Sequence, residues 1–257
     1  HRPGPARALI TPPVAGPLQQ TWLSAGIPFG VALALVAIPA CRRRIWQAET
    51  TWQPWWFGPA TCLATVAAIP QLLSYFRDVP LTWASGVRQP HVDAYFHLAL
   101  AGELAHRGPV TFPWVASEPL AYHWFSHAWV ANLSVVSGVG LDQTLFRFMP
   151  MFLPLAVALI VAAAAIRITG RCWTGPVAAV LTLAGGDLNV FGRATTNHPL
   201  DPLSPSLGLS VPILVALVLV LVCRWRGEAR SGAFVLIPVL AIAAAGTKGS
   251  ALPLVVA

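Results

Sequence analysis

No charged residue interrupts the stretch from Leu207 to Cys223, and runs of the same kind recur along the chain. This feature constrains the fold more than any other. About 20 apolar residues coiled as an α-helix match the hydrocarbon core of a bilayer, because such a helix satisfies every backbone N–H and C=O internally. Trp22–Ala40, Trp55–Phe76, Phe148–Ile166 and Leu207–Cys223 have this character, and Trp173–Phe191 could span as well, with Asp187 near its end. A last run, Ala233–Gly246, is interrupted by Thr247-Lys248-Gly249-Ser250 and resumes at Ala251. Trp124–Gly140 is apolar but short, and it holds Ser126, His127 and Asn132. Composition narrows the choice further. Charged residues make up 10% of the 257, against about 25% in an average soluble domain. A water-soluble globule of this size would lack polar surface. A soluble enzyme, a disordered regulator and a nucleic-acid binder are therefore poor readings. The predicted fold class is all-α, a polytopic transmembrane helical bundle.

The arginines orient it. The net charge of +7 needs no nucleic acid, because cytoplasmic loops of membrane proteins collect cations. If Trp124–Gly140 does not cross, then Arg42, Arg43, Arg44, Arg167, Arg171, Arg224, Arg226 and Arg230 fall on one side, all in short turns. Arg77, Arg88, Arg107, Arg147 and Arg193 fall on the other, spread over longer loops. Crossing by Trp124–Gly140 would reverse the bias, so this segment is expected to lie at the interface. The expected organisation is a flexible Pro/Ala-rich tail or loop over 1–21 and an integral membrane domain over 22–257. That domain carries a large extracytoplasmic loop over 77–143 with interfacial helices and a second outer loop over 190–206. The chain begins at His1 and stops at Ala257 inside an apolar run, and is read as truncated at both ends. The expected location is the plasma membrane, multi-pass.

Titratable groups concentrate in the first outer loop. Five of the seven histidines, His91, His97, His106, His123 and His127, lie there with Asp93, Glu103, Glu118, Arg88 and Arg107. A membrane chain has few polar residues to place, so their clustering marks a candidate site. HVDAYFHLALAGELAHRG reads as one amphipathic helix ended by Gly108-Pro109. Asp93 and His97 are four apart and share a face. They form either part of a solvated surface or a carboxylate oriented by an imidazole, the arrangement of a general base. His123 and His127 are also four apart, a spacing that on a helix suits a metal ion with Asp93 or Glu103 as a further ligand. The Glu of the HExxH signature is absent, and histidines packed at the interface without metal are the preferred reading. Arg193, Asn197, His198 and Asp201 populate the second outer loop, which forms either a connector or a second wall of the site. Lys248, the single lysine, sits in an apolar context, where an ionisable group is a functional candidate by default. Arg147 and Asp187 lie at outer ends of spans and are placed to pair with each other or with the loop. Cys41, Cys62, Cys172 and Cys223 show no metal-ligand spacing and read as free thiols.

HVDAYFH followed by PLAYHWFSH, in a long outer loop of a polytopic chain, resembles the GT-C-fold membrane glycosyltransferases. These include the protein O-mannosyltransferases and the lipid A aminoarabinose transferases. AIAAAGTKGSALPLV is similar to the T-K-G-P run of a late helix in these families, with Ser250 where the proline stands. The resemblance implies a GT-C-like fold and transfer of a sugar from a polyprenyl-phosphate carrier to the hydroxyl of an extracytoplasmic glycan, lipid or protein. It implies Asp93 as general base, with His97 orienting it. Arg88, Arg107, His123, His127, Arg193, His198 and Lys248 are then the candidates for binding substrate and the leaving phosphate. Many members carry two adjacent acids at the Asp93 position, whereas Ala94 follows here. Metal-independent transfer is thus expected, with no cofactor. The expected partners are membrane lipid, the lipid-linked donor and the acceptor, with no nucleic acid. The competing functions are a transporter, which wants a midplane site between broken helices, and a non-catalytic subunit that keeps the fold.

Overall fold

The structure, a computed structural model, describes residues 57–79, 81, 92–106, 112–115, 118–184, 204–228 and 233–249, with single positions between 30 and 39. The tail over 1–21 and most of Trp22–Ala40 lie outside the described residues. Among those described there is no β-strand, and the fold is all-α.

The helices are α1 (Phe57–Asp78), α2 (Val92–His106), α3 (Phe125–Ser137), α4 (Leu141–Thr169), α5 (Thr174–Ala184), α6 (Pro205–Trp225) and α7 (Ala233–Thr247). Two of them, α4 with 29 residues and α6 with 21, are long and apolar enough to cross a membrane. The 22 residues of α1 match α6 in length. At about 1.5 Å per residue, the 13 residues of α3 reach roughly 20 Å, short of a hydrocarbon core of about 30 Å. Gly138 ends α3 and Gly170 ends α4, both left-handed, and each donates its N–H to the carbonyl four residues back, on Ser134 and Ile166. A side chain at either position would be strained.

Hydrogen bonds and ring contacts at the helix ends give the direction of each element. Arg147, near the start of α4, donates to the Val79 carbonyl at 2.9 Å and lies over the Phe76 ring, so α1 ends where α4 begins. This is the contact with the loop that the sequence allowed for Arg147. At its far end α4 turns tightly into α5, with Thr169 and Thr174 hydroxyls 2.9 Å apart. There Arg226, just past α6, donates to the Ile168 carbonyl at 2.9 Å, and Arg167 pairs with Glu228. The pair is half exposed and holds little stability, but it fixes both helix ends together. The result is an antiparallel bundle with α2 and α3 gathered at one end.

Three apolar clusters hold it. Val157, Ala158, Ala162 and Ile166 of α4 meet Ala179 and Leu183 of α5. Tyr75 and Val79 meet Ala94 and Ala101 of α2, Val130 of α3 and Leu145, Phe146 and Met149 of α4. Leu100, Leu104 and Ala131 close the α2–α3 seam. Outward faces stay apolar as well: Leu63, Val66 and Leu73 on α1, and Val235, Val239 and Ile242 on α7, are all exposed.

The helix α4 starts seven residues before the apolar run that announced it. Asp142, Gln143, Thr144 and Arg147 read as loop by hydropathy, yet they coil because the Thr144 hydroxyl caps back to the Gly140 carbonyl at 3.0 Å and Arg147 is anchored. One π-helical turn, Thr144–Phe148, joins this extension to the rest.

Candidate functional site

Among the described residues, polar side chains gather where α2, the start of α3, the start of α6 and the end of α7 converge. Helix α2 brings Asp93 in its first turn, where a carboxylate suits the helix dipole. Asp93 is exposed, whereas His97 one turn later is buried. His97 points into the α2–α3 seam. Its Nδ1 lies 2.8 Å from Nε2 of His127, which has no exposure at all. The other nitrogen of His127 lies 3.2 Å from the Ser126 hydroxyl, and Ser126 is 2.9 Å from the hydroxyl of Ser206 at the start of α6. Tyr122 is near enough to Ser206 for the two side chains to interact, and Asp93 is near enough for its charge to act on the phenol. Burial and that charge hold Tyr122 above the usual tyrosine range, so it stays a hydroxyl.

His123 is not on the α3 helix. The helix begins at Phe125, with Trp124 as its N-cap, so the i, i+4 spacing of His123 and His127 does not place them on one face. His123 stacks instead on Tyr122, with ring centroids 3.9 Å apart, and its Nε2 is buried without a hydrogen-bond partner. Among the described residues no group of three His, Cys, Asp or Glu is placed to hold a metal ion.

Lys248 follows α7, and its charge reaches His123. The approach is close because residue 246 is glycine: a Cβ there would stand 2.5 Å from the Phe125 ring. Phe96, Phe112, Trp114 and Tyr122 form an aromatic wall beside His97, with Phe96 5.0 Å from Tyr122 and 5.2 Å from Trp114. Trp114 remains more than half exposed.

Both histidines are held neutral. Burial, then the neighbouring charges of His97 and His123, pushes His127 down to about 3. Burial, then Lys248 and His97, pushes His123 down to about 4. An imidazole kept neutral in the fold but free to protonate in the unfolded chain favours unfolding in acid. The contribution of His127 is whole above pH 6.5 and is lost as pH falls toward about 3. The melting temperature in detergent is expected to fall between pH 7 and pH 4, and to fall less steeply in His127→Gln. A wild-type profile flat over that range would contradict the burial of neutral imidazoles.

The structure thus brings together Asp93, His97, His123, His127 and Lys248 of the residues singled out by sequence. Arg88, Arg107, Arg193 and His198 lie outside the described residues, as do Asp187, Asn197 and Asp201. Glu103 and His106 lie farther along α2, and Glu118 is exposed. Cys62, Cys172 and Cys223 are in no disulfide, and Cys41 lies outside the described residues. Tyr122, Ser126 and Ser206 were not among the expected site residues. Ser126 beside His127 was a local signal, but the Ser126–Ser206 contact joins positions 80 apart, which no periodicity announces.

No protein-family model, curated protein or solved structure matches the chain.

Proposed function

We propose that the chain is a membrane glycosyltransferase that moves a sugar from a polyprenyl-phosphate carrier to an extracytoplasmic hydroxyl, with Asp93 as general base. The observation that carries this reading is the separation of charge along the bundle. Ser206 and the polar cluster sit at one end of α6, and Arg224 and Arg226 at the other, about 30 Å apart for a helix of 21 residues. Arg167 and Arg171 belong to the arginine end as well. That is the pattern of a bilayer protein with its arginine turns in the cytoplasm and its site outside. The surface supports it. Only 22% of the apolar stretch of α6 is buried inside the protein, whereas the core helix of a soluble protein is mostly buried. Trp173 and Trp225 are exposed at the arginine end and Trp114 at the other, as interfacial tryptophans are.

The chemistry assigns roles. Exposed Asp93 takes the proton of the acceptor hydroxyl as its oxygen attacks the anomeric carbon. The bond from that carbon to the phosphate oxygen breaks, and the carrier phosphate leaves as an anion. Lys248 supplies charge where that anion develops. Neutral His123, whose buried Nε2 lacks a partner, supplies a hydrogen bond rather than a charge. A transporter reading draws on the buried His97–His127–Ser126–Ser206 chain, because ionisable chains inside transporters mark proton paths. Proteoliposomes separate the two: radiolabelled polyprenyl-phosphate sugar is expected to lose its label to an acceptor in the presence of the protein, without uptake of free sugar. Uptake without transfer would overturn the transferase reading.

A further inference from the structure

The transferase reading uses Asp93, His123 and Lys248 but gives no work to the buried chain behind them. Five side chains from three parts of the sequence form it. Ser206 is 2.9 Å from Ser126, Ser126 is 3.2 Å from His127 Nδ1, and His127 Nε2 is 2.8 Å from His97 Nδ1, with the Tyr122 side chain near enough to Ser206 to interact with it. Ser126, His127 and Ser206 are completely or almost completely buried. Burying so many polar groups is costly unless every link is made, and a run of apolar side chains would pack the same seam more simply. Each member is both donor and acceptor: a hydroxyl has one proton and two lone pairs, and a neutral imidazole has one N–H and one bare nitrogen.

We propose that Tyr122, Ser206, Ser126, His127 and His97 form a proton relay through the core, switching between two complete and opposite hydrogen-bond orientations. In one, His97 Nδ1–H donates to His127 Nε2, His127 Nδ1–H to Ser126, Ser126 to Ser206, and Ser206 to the Tyr122 oxygen. When His97 takes a proton at Nε2, each N–H or O–H proton moves one link along. His97 Nδ1 gives its proton to His127 Nε2, His127 Nδ1 to Ser126, Ser126 to Ser206, and Ser206 to Tyr122, whose original proton leaves. One proton enters and one departs, every group ends neutral, and every bond now points the other way. The reverse passage resets the chain: Tyr122 takes a proton, each link hands one back, and His97 Nε2 gives one up. The groups that face its ends are Asp93 on α2, His123 before α3 and Lys248 after α7. Neutral His127 and un-ionised Tyr122 are the states such a chain requires.

The relay goes beyond the transferase reading, and its test needs neither sugar donor nor acceptor. Nitrogen-15 NMR of histidine-labelled protein in nanodiscs reads the His127 tautomer directly, since pyrrole-type and pyridine-type ring nitrogens resonate far apart. Tyr122→Phe keeps the ring and its stacking, and removes only the hydroxyl. Ser206 then has no acceptor on that side, which penalises the orientation in which His127 carries its proton on Nδ1. Ser206→Ala removes the acceptor for Ser126 and acts in the same direction. Wild-type His127 is expected to show shifts averaged between the two tautomers. Both variants are expected to move the population at least tenfold toward Nε2–H. A His127 tautomer that is the same in wild type and both variants, with folding intact, overturns the relay. Because sugar transfer by Asp93 is assayed separately, failure of either test leaves the other standing.

Discussion

Asp93→Asn is expected to lower sugar transfer by about 10²–10⁴-fold, the usual contribution of a positioned general base, while the protein still inserts and folds. Asparagine keeps the size and a hydrogen-bonding oxygen but cannot accept the proton. The substitution is mild for the fold because Asp93 is exposed at the first turn of α2. The expected signature is a loss in kcat with little change in the apparent affinity for the lipid-linked donor, since the proposed roles assign the phosphate to Lys248 and His123 rather than to Asp93. Transfer at the wild-type rate in Asp93→Asn would remove Asp93 from the mechanism.

The second large effect falls on stability. His127→Leu fills most of the same volume but takes one buried hydrogen-bond partner each from Ser126 and His97, at 3.2 and 2.8 Å inside the seam. A buried group left without its partner costs about 1–3 kcal/mol, so roughly 2–4 kcal/mol of destabilisation is expected from the single change. Removing both partners of a buried hydrogen bond is much gentler. The double variant His97→Leu with His127→Leu is therefore expected to be less destabilised than the sum of the two singles, by about 1 kcal/mol or more. Chemical denaturation in a fixed detergent measures this coupling. Strict additivity would mean that the two imidazoles do not depend on each other.

How much of this was legible in the sequence follows from which forces act locally. The apolar stretches of α4, α6 and α7 were legible because hydropathy and length are properties of the segment itself. The beginning of α4 was not legible, because Asp142 and Arg147 break the apolar pattern and the partners that hold Arg147, Val79 and Phe76, lie more than sixty positions earlier in the chain. The concentration of histidines announced a site near Asp93, but not its inner arrangement. Four-residue spacing placed His123 and His127 on one helical face, whereas the helix starts at Phe125 and His123 turns onto Tyr122. The partners of His127 come from α2 and α6, and only the packing of three elements brings them together. Gly246 is a related case: with Gly249 it reads as a break or helix end beside Lys248, and α7 does end at Thr247, but its second role, making room for the Phe125 ring, comes only from packing.

The account stands on the separation of the polar cluster from the arginine turns by a bilayer. In a background with Cys41, Cys62, Cys172 and Cys223 replaced by serine or alanine, single cysteines at exposed Glu118 and exposed Glu228 mark the two ends. Intact cells treated with a membrane-impermeant thiol reagent are expected to label Glu118→Cys, and to label Glu228→Cys only after the membrane is opened. Equal labelling of both positions in intact cells, or labelling of Glu228→Cys alone, would contradict it.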